Sequence, residues 1–545
     1  MSRRALVIGL DGAAFDVIRP LAEAGRLPNL SAWMAEGGHA PLLSTVPAMT
    51  FPAWSSFLTG LEPGRHGLFD FTQKQPGTYR IRFTNAHDRR GATLLGRTAQ
   101  KAGRVLCLGM PTTWPPESVD GLVVAGFDAP VSRGSDPSRT SDPALYSEVA
   151  RRVGPWMTPD LDETAGAEGW HERAVKLLLE RVERKTAFAL EALGRMERSG
   201  RAPQLCIVVF SESDTVCHHF WRDHDPASPR HDPRASAVRR GAVAAVYERL
   251  DAACGELRRA FGGDAPCFVV SDHGNGGASQ HVVHLNRHLH DCGLLRRRGR
   301  TALDGAARRA RDLALRALPP RAAEAVFRRV RPAAAAIESA ARFGGIEWAG
   351  TAAFSEEVNT QPGVWINLAG REAAGRVARD DYERVRGEVI DALLDWKLPG
   401  GNPVVARARR REEVYRGPCA KRAPDIVVEL ALDAGYGLSL VPSRWDELGA
   451  GSVTTLSDEA LAGGRGRGMN GVHRPEGIFI ANGPGFQDAG LLETARIADA
   501  APTVLRSLGI PWDESLDGLA VDPTAYDSDE EARVAERLRG LGYLE

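Results

Sequence analysis

The chain has 545 residues, 69 Lys and Arg against 70 Asp and Glu, and a formal charge of −1. With 43% hydrophobic and 26% charged residues, the composition excludes a mostly disordered chain and a collagen-like one. The balance of charge excludes a chain-wide basic surface for nucleic acid and an acidic tail protein.

The first residues, MSRR, lead into ALVIGL (5–10) and then Asp11-Gly12. Six apolar residues are too few for a signal-peptide core. No stretch of about 18 apolar residues follows, so no transmembrane span is expected and the protein reads as cytoplasmic. Short β-branched apolar runs recur at 104–110, 122–127, 205–210, 267–271, 425–430 and 477–482. Apolar on both faces, they predict buried parallel strands. Helical stretches lie between them at 51–61, 171–196 and 237–261. Alternation over the whole chain predicts one doubly wound α/β core, not a string of domains.

Two segments interrupt the alternation. Residues 129–165 are rich in Ser, Asp, Pro and Gly and predict a surface excursion, with 129–200 a loop and helical insertion. Residues 296–342 hold 13 Arg against Asp304, Asp312, Glu324 and Glu338, a net of +9. They predict helices split at Pro319-Pro320 that pack over the core as a cap. A peripheral membrane contact is the less favoured reading of that segment. The chain thus divides into an N-terminal part of the core (1–295), a cap insertion (296–345) and a C-terminal part (346–545). The seven cysteines are odd in number, form no C-x-x-C pair and sit mostly in apolar runs. They predict free thiols in a reducing compartment.

Open α/β sheets bind ligands outside the carboxyl ends of their strands. ALVIGL ends at Asp11. LCIVVF runs into Asp214 and His218. CFVVS ends at Asp272-His273, and GIFIAN is preceded by His473. Three carboxylates and three imidazoles at one sheet edge suit zinc, or manganese. Six are too many for one tetrahedral ion and suit two, each with room for substrate. Thr50 precedes a helix whose second residue is Pro52. Its hydroxyl faces the exposed N–H groups of that helix, which favour an anion such as phosphate. A metal beside Thr50 would lower its pKa and make an alkoxide available. His219 and His224 read as surface histidines, and Cys217 as a bystander thiol.

These segments resemble the alkaline phosphatase superfamily, in its branch of type I phosphodiesterases and nucleotide pyrophosphatases. The matching text is VIGLDG, TFPAWSSFLTGLEPGRHG, DTVCH, SDHG and GVHRPEGIFIANGPG, with DAAPTVLRSLGIP and LDGL near the C-terminus. PTTWPPESVDGLVVAGFDAP (111–130), VWINLAGRE (364–372) and the terminal LRGLGYLE are similar to segments of prokaryotic members. The resemblance implies a three-layer α/β/α core with a mostly parallel sheet. It implies that Asp214, His218 and His473 hold one metal and that Asp11, Asp272 and His273 hold the other. Thr50 would reach toward both metals and act as nucleophile, forming a phospho-threonine intermediate.

One position departs from the pattern. Where the better known members carry an Asn that holds phosphoryl oxygens, this sequence has Phe71, which puts nucleotide preference in doubt. Ser135-Asp136-Pro137-Ser138-Arg139 fits the string from which sulfatases make formylglycine, but it lies in a polar loop without a following helix. Nothing matches the Ser segment of cofactor-independent phosphoglycerate mutases. The expected function is two-metal hydrolysis of a small-molecule phosphoester. The alternatives are a phospho-group transferase, a phosphomonoesterase, a phosphonate hydrolase and a non-catalytic homologue. No nucleic-acid partner is expected, and the oligomeric state stays open.

Overall fold

The computed structural model describes residues 3–521, except 102, 128, 130–136, 158–160, 162–168, 299–330, 361, 444, 446–450, 458–460, 462–468 and 513–514. Layering follows from the alternation of side chains along each strand. Strand β1 (Ala5–Leu10) is buried throughout. Its Leu6, Ile8 and Leu10 enter one apolar core, and its Ala5 and Val7 enter a second. Leu205–Phe210 divides in the same way, Cys206, Val208 and Phe210 against Leu205, Ile207 and Val209. A strand apolar on both faces needs cover on both. Helices Trp170–Arg198 and Ala237–Phe261 cover one face through residues such as Leu178, Val182 and Tyr247. Thr50–Thr59 and Ala500–Leu508 cover the other through Trp54, Phe57 and Val504. Each such apolar side chain contributes roughly 1.5–3 kcal/mol of burial.

Among the described residues the main sheet has nine strands. We number those that matter: β2 (Gly38–Leu43), β3 (Val105–Met110), β4 (Gly121–Ala125), β5 (Leu205–Phe210), β6 (Cys267–Val270), β7 (Gly274–Val283), β8 (Gly363–Ile366), β9 (Val405–Arg410), β10 (Ile426–Leu430), β11 (Tyr436–Leu440), β12 (Val453–Thr455), β13 (Gly471–Arg474) and β14 (Glu476–Asn482). The order across the main sheet is β2-β14-β6-β1-β5-β3-β4, with two short strands beside β2. The pairs β1–β5, β1–β6, β5–β3 and β3–β4 are parallel.

Two strand expectations need correcting. The run at 477–482 is a strand of the main sheet, but antiparallel to both β2 and β6. The run at 425–430 leaves the main sheet altogether. Its β10 lies in a separate four-stranded antiparallel sheet between β8 and β9. An apolar run records burial on both faces and says nothing of direction or sheet. A third sheet is built around the long β7, which pairs with β11, β12 and β13. The small sheets share their own core, including Trp365, Val389, Ile426 and Leu438.

Within the expected surface excursion, Pro143–Val153 is a helix that buries Tyr146 and Val149. Asp142 caps it by accepting from the Leu145 N–H at 3.0 Å. Of the Arg-rich segment, 299–330 lies outside the described residues. The helix Arg331–Phe343 follows, and its Arg342 donates to Thr72 Oγ1 at 3.1 Å and Glu356 Oε2 at 3.2 Å. Among the described residues no helix is long and apolar enough to cross a membrane.

Candidate metal centre

β1, β5 and β6 run parallel, so their carboxyl ends lie side by side. Asp11 follows β1 directly. Asp214 and His218 stand one turn apart on helix Glu212–His224, which starts where β5 ends. Asp272 and His273 occupy the bend between β6 and β7. His473 comes from elsewhere. It sits on β13, opposite Asn275 of β7, so the six candidates do not all belong to one sheet edge. All six nevertheless meet, and Thr50 joins them as the first residue of its helix, with Met49 in the capping position expected for Thr50.

Three potential ligand atoms face one another at the first cluster. His218 Nε2 lies 3.1 Å from His473 Nε2 and 3.2 Å from Asp214 Oδ1, and His473 Nε2 lies 3.6 Å from the same oxygen. The other nitrogens are committed. His218 Nδ1 donates to the Gly471 carbonyl at 2.7 Å, and His473 Nδ1 donates to that of Ala48 at 3.1 Å. With each Nδ1 so committed, Nε2 is the nitrogen of each ring left to face a metal.

The second cluster adjoins it. Asp11, Asp214 and His273 bring ligand atoms within 4.8 Å of one another. Asp272 Oδ2 is 3.3 Å from His273 Nε2, and Asp11 Oδ1 is 3.7 Å from it. His273 Nδ1 donates to the Gly274 carbonyl at 3.0 Å, leaving Nε2 to face Thr50 Oγ1 at 3.3 Å. The rings of His273 and His473 stack with centroids 3.7 Å apart and link the clusters. Asp214 faces both clusters, whereas the sequence placed it with one.

Burial, and then the charges of Asp272 and Asp214, push the Asp11 carboxyl well above its usual range. Burial also raises Asp272. Burial opposes the charge on Asp214 as well, but His218, His473 and His273 outweigh it and hold that carboxyl low. Burial and His273 hold the His473 imidazole well below its ordinary value, in its neutral form. Asp11 Oδ1 and Asp272 Oδ2 are buried without a hydrogen-bond partner in the protein. Unpaired buried carboxylate oxygens beside imidazole nitrogens fit divalent cations.

Three supporting residues escaped the sequence reading. Asn275 Nδ2 donates to Asp214 Oδ1 at 3.1 Å and to the Gly12 carbonyl at 3.0 Å. Trp54, one turn beyond Thr50, donates from Nε1 to Asp11 Oδ2 at 3.2 Å. Lys185 forms a buried pair with Glu212 at 2.8 Å, two residues before Asp214. Only Asn275 left a signal, as the residue after D-H-G. Gly12 has φ +66, and a Cβ there would stand 2.3 Å from Asn275 Nδ2 and 2.8 Å from Asp214 Oδ1. His219 and His224 are half-buried rather than on the surface. Cys217 is buried, and its thiol is pushed far up by burial, as befits a bystander. Ser135 and Asp136 of the sulfatase-like string lie outside the described residues.

The cluster opens on a cavity of about 1300 Å3 that Asp11, Thr50, Asp214, His218 and His473 help to line. Phe71 lines it too, packed edge-on against Phe51 with centroids 4.3 Å apart. A cluster of Asp and His around a helix-start hydroxyl, in a cleft of this size, fits a hydrolase of phosphoesters as a class.

Comparison with known proteins supports that class. Residues 5–439 match the family described as type I phosphodiesterase / nucleotide pyrophosphatase, and the chain belongs to it. This places it in the alkaline phosphatase superfamily and makes it a phosphoester hydrolase. The match ends before β13 and His473. A search of curated proteins found no match. Among solved structures the chain is similar to phosphonoacetate hydrolase from Sinorhizobium meliloti 1021 in complex with phosphonoformate. The two are 15% identical, covering 93% of this chain and 96% of that one, with a TM-score of 0.52. It is also similar to murine ectonucleotide pyrophosphatase / phosphodiesterase 5, at 14% identity over 93% and 96% and a TM-score of 0.46.

Proposed function

We propose that the chain hydrolyses phosphodiester or phosphoanhydride bonds of small molecules, with Thr50 as nucleophile and two divalent cations, zinc or manganese, as cofactors. One observation carries the reading. His218 Nε2, His473 Nε2 and Asp214 Oδ1 converge within 3.6 Å, and the His473 ring stacks on that of His273, whose Nε2 faces the Thr50 hydroxyl. Two imidazole nitrogens and a carboxylate oxygen so placed are a ligand set for a divalent cation.

Asp214, His218 and His473 would hold one cation, and Asp11, Asp272 and His273 the other, with Asp214 facing both and Thr50 beside them. Bound there, the cations would supply Lewis acidity and a lowered pKa for hydroxyl and water. The protein's own contribution is placement. The first turn of the Thr50 helix fixes Oγ1 against His273 Nε2. From there Oγ1 attacks phosphorus, the P–O bond to the leaving group breaks, and the phosphoryl group rests on Thr50 until water takes it. In that first turn Pro52 has no N–H and Ala53 N–H donates to the Met49 carbonyl at 3.1 Å, so the Thr50 and Phe51 N–H groups would face the phosphoryl oxygens, in the role the Asn replaced by Phe71 would otherwise share. The seven unbridged cysteines support a reducing, cytoplasmic setting.

The test is turnover of bis-p-nitrophenyl phosphate by protein supplied with zinc or manganese. Thr50→Ala should lose at least about 10³-fold in kcat/KM while melting at the wild-type temperature. Equal activity in wild type and Thr50→Ala would end the threonine mechanism.

A further inference from the structure

We propose that Lys185 is a positioning residue that sets where Asp214 stands between the two clusters. It acts through Glu212, at the start of the helix that carries Asp214 and His218. This rests on the reading of the clusters as a metal centre and adds a residue that holds no cation itself.

Burial is the first observation. The Lys185 and Glu212 side chains are 2% and 0% exposed. Lys185 Nζ lies 2.8 Å from Glu212 Oε1, and it donates to Glu212 Oε2 at 3.0 Å and to Ser211 Oγ at 3.4 Å. The centroid of the Trp156 ring stands 5.6 Å from the same nitrogen. Around the pair, helices Trp170–Arg198 and Glu212–His224 share one apolar core, with Val182, Phe188, Val216 and Phe220 among its members. In such surroundings an ion pair gains little stability over packed apolar side chains, because desolvation of both charges offsets their attraction. What it supplies instead is a fixed distance and direction.

Direction is the second observation. Glu212, Ser213 and Asp214 are the first three residues of their helix, and successive side chains of a helix point about 100° apart. Each is held by a different element. Glu212 is tied to Lys185 on the long helix. Ser213 Oγ donates to the Asp11 carbonyl at 2.6 Å, and Asp214 Oδ1 accepts from Asn275 Nδ2 at 3.1 Å. Three ties on three sides fix both the rotation and the height of the helix start. Without the Lys185 tie the start is held on two sides and can turn. His218, one turn later, has its own tether from Nδ1 to the Gly471 carbonyl at 2.7 Å. The displacement therefore falls on Asp214, the carboxylate that faces both clusters.

Replacing both members of the pair separates position from stability. Lys185→Met with Glu212→Met removes one charge of each sign and strands neither, so the fold should hold. Removing Lys185 alone would leave a buried carboxylate unpaired and confuse the two effects.

The experiment titrates the metal-free full chain with cobalt(II), whose visible absorption reports the ligands around it, and reads affinity by competition with a chelator. Unfolding in denaturant is measured on the same metal-free preparations. The methionine pair should unfold at a midpoint equal to or above wild type. It should nevertheless bind cobalt at least about tenfold more weakly, with an altered absorption band. The leucine pair, Lys185→Leu with Glu212→Leu, asks the same question with a different fit and should give the same result. Cobalt bound with wild-type affinity and spectrum by a folded pair variant overturns the proposal and leaves the metal centre standing. So does a loss of affinity that comes with a lowered midpoint, or failure of both pairs to fold, since either assigns the ion pair to stability. No cobalt binding by the wild type overturns the proposal and the metal centre together.

Discussion

The floor and the wall of the cavity are made by different means. The floor takes most of its side chains from the ends of buried parallel strands, where neighbouring backbones fix each position, with His473 and Thr50 brought in from a third-sheet strand and a helix start. Its groups are ionisable and act on one another's charges: Asp272 and Asp214 push Asp11 up, while three imidazoles hold Asp214 low. The wall is drawn from short antiparallel sheets and loops, and its contacts are aromatic and aliphatic. Chemistry demands fixed geometry and recognition demands shape, so one fold can keep its floor while its wall varies.

Substitutions test that division. The largest effect belongs to the residue that faces both clusters. Asp214→Asn should lose at least about 10²-fold in activity and bind less than half the wild-type metal by elemental analysis. Asn275→Ala removes a donor to Asp214 without touching substrate. It should weaken metal affinity about tenfold, read by competition with a chelator, with loss of activity recovered at high metal. If activity stays low when metal is saturating, Asn275 does more than position Asp214.

The smallest effect lies behind the wall and should leave metal affinity alone. Burial pushes the Asp70 carboxyl up to about 6, against the nearby Arg342. The folded state therefore holds a proton that the unfolded chain has already lost, and stability falls as pH rises from about 4 to about 6. Asp70→Asn keeps the acceptor for Thr360 and removes that cost. Its stability, read from denaturant midpoints, should exceed wild type by on the order of 1–3 kcal/mol at pH 8 and match it near pH 4. A gain equal at both pH values would assign the effect to packing. A change in metal affinity would break the separation of floor from wall.

The floor was largely legible in the sequence because a charged residue ending an apolar strand is unusual and has few places to go. Asp11, Asp214, His218, Asp272, His273 and His473 each signal little alone but could be picked out together, as a joint pattern at strand ends in family order, and they do meet in space. Direction and partnership were not legible. The run at 477–482 reads the same parallel or antiparallel, and the run at 425–430 reads the same in any sheet. His473 could be placed near the others but not on β13, since pairing with β7 depends on register far away in the chain. The phenylalanine trio left no pattern at all. Phe51, Phe71 and Phe127 belong to three different segments, and only tertiary packing makes them neighbours.

The position of β14 has a consequence for how the protein is made. It lies between β2 and β6, although more than two hundred residues separate it in sequence from β6. A growing polypeptide leaving the ribosome holds β6 with an open edge until residue 482 has emerged, and His473 emerges only just before. Synthesis therefore delivers the last imidazole and the closing strand together. On the proposed reading activity cannot precede the emergence of β14, and until then the open edge of β6 is the surface that a chaperone would have to shield.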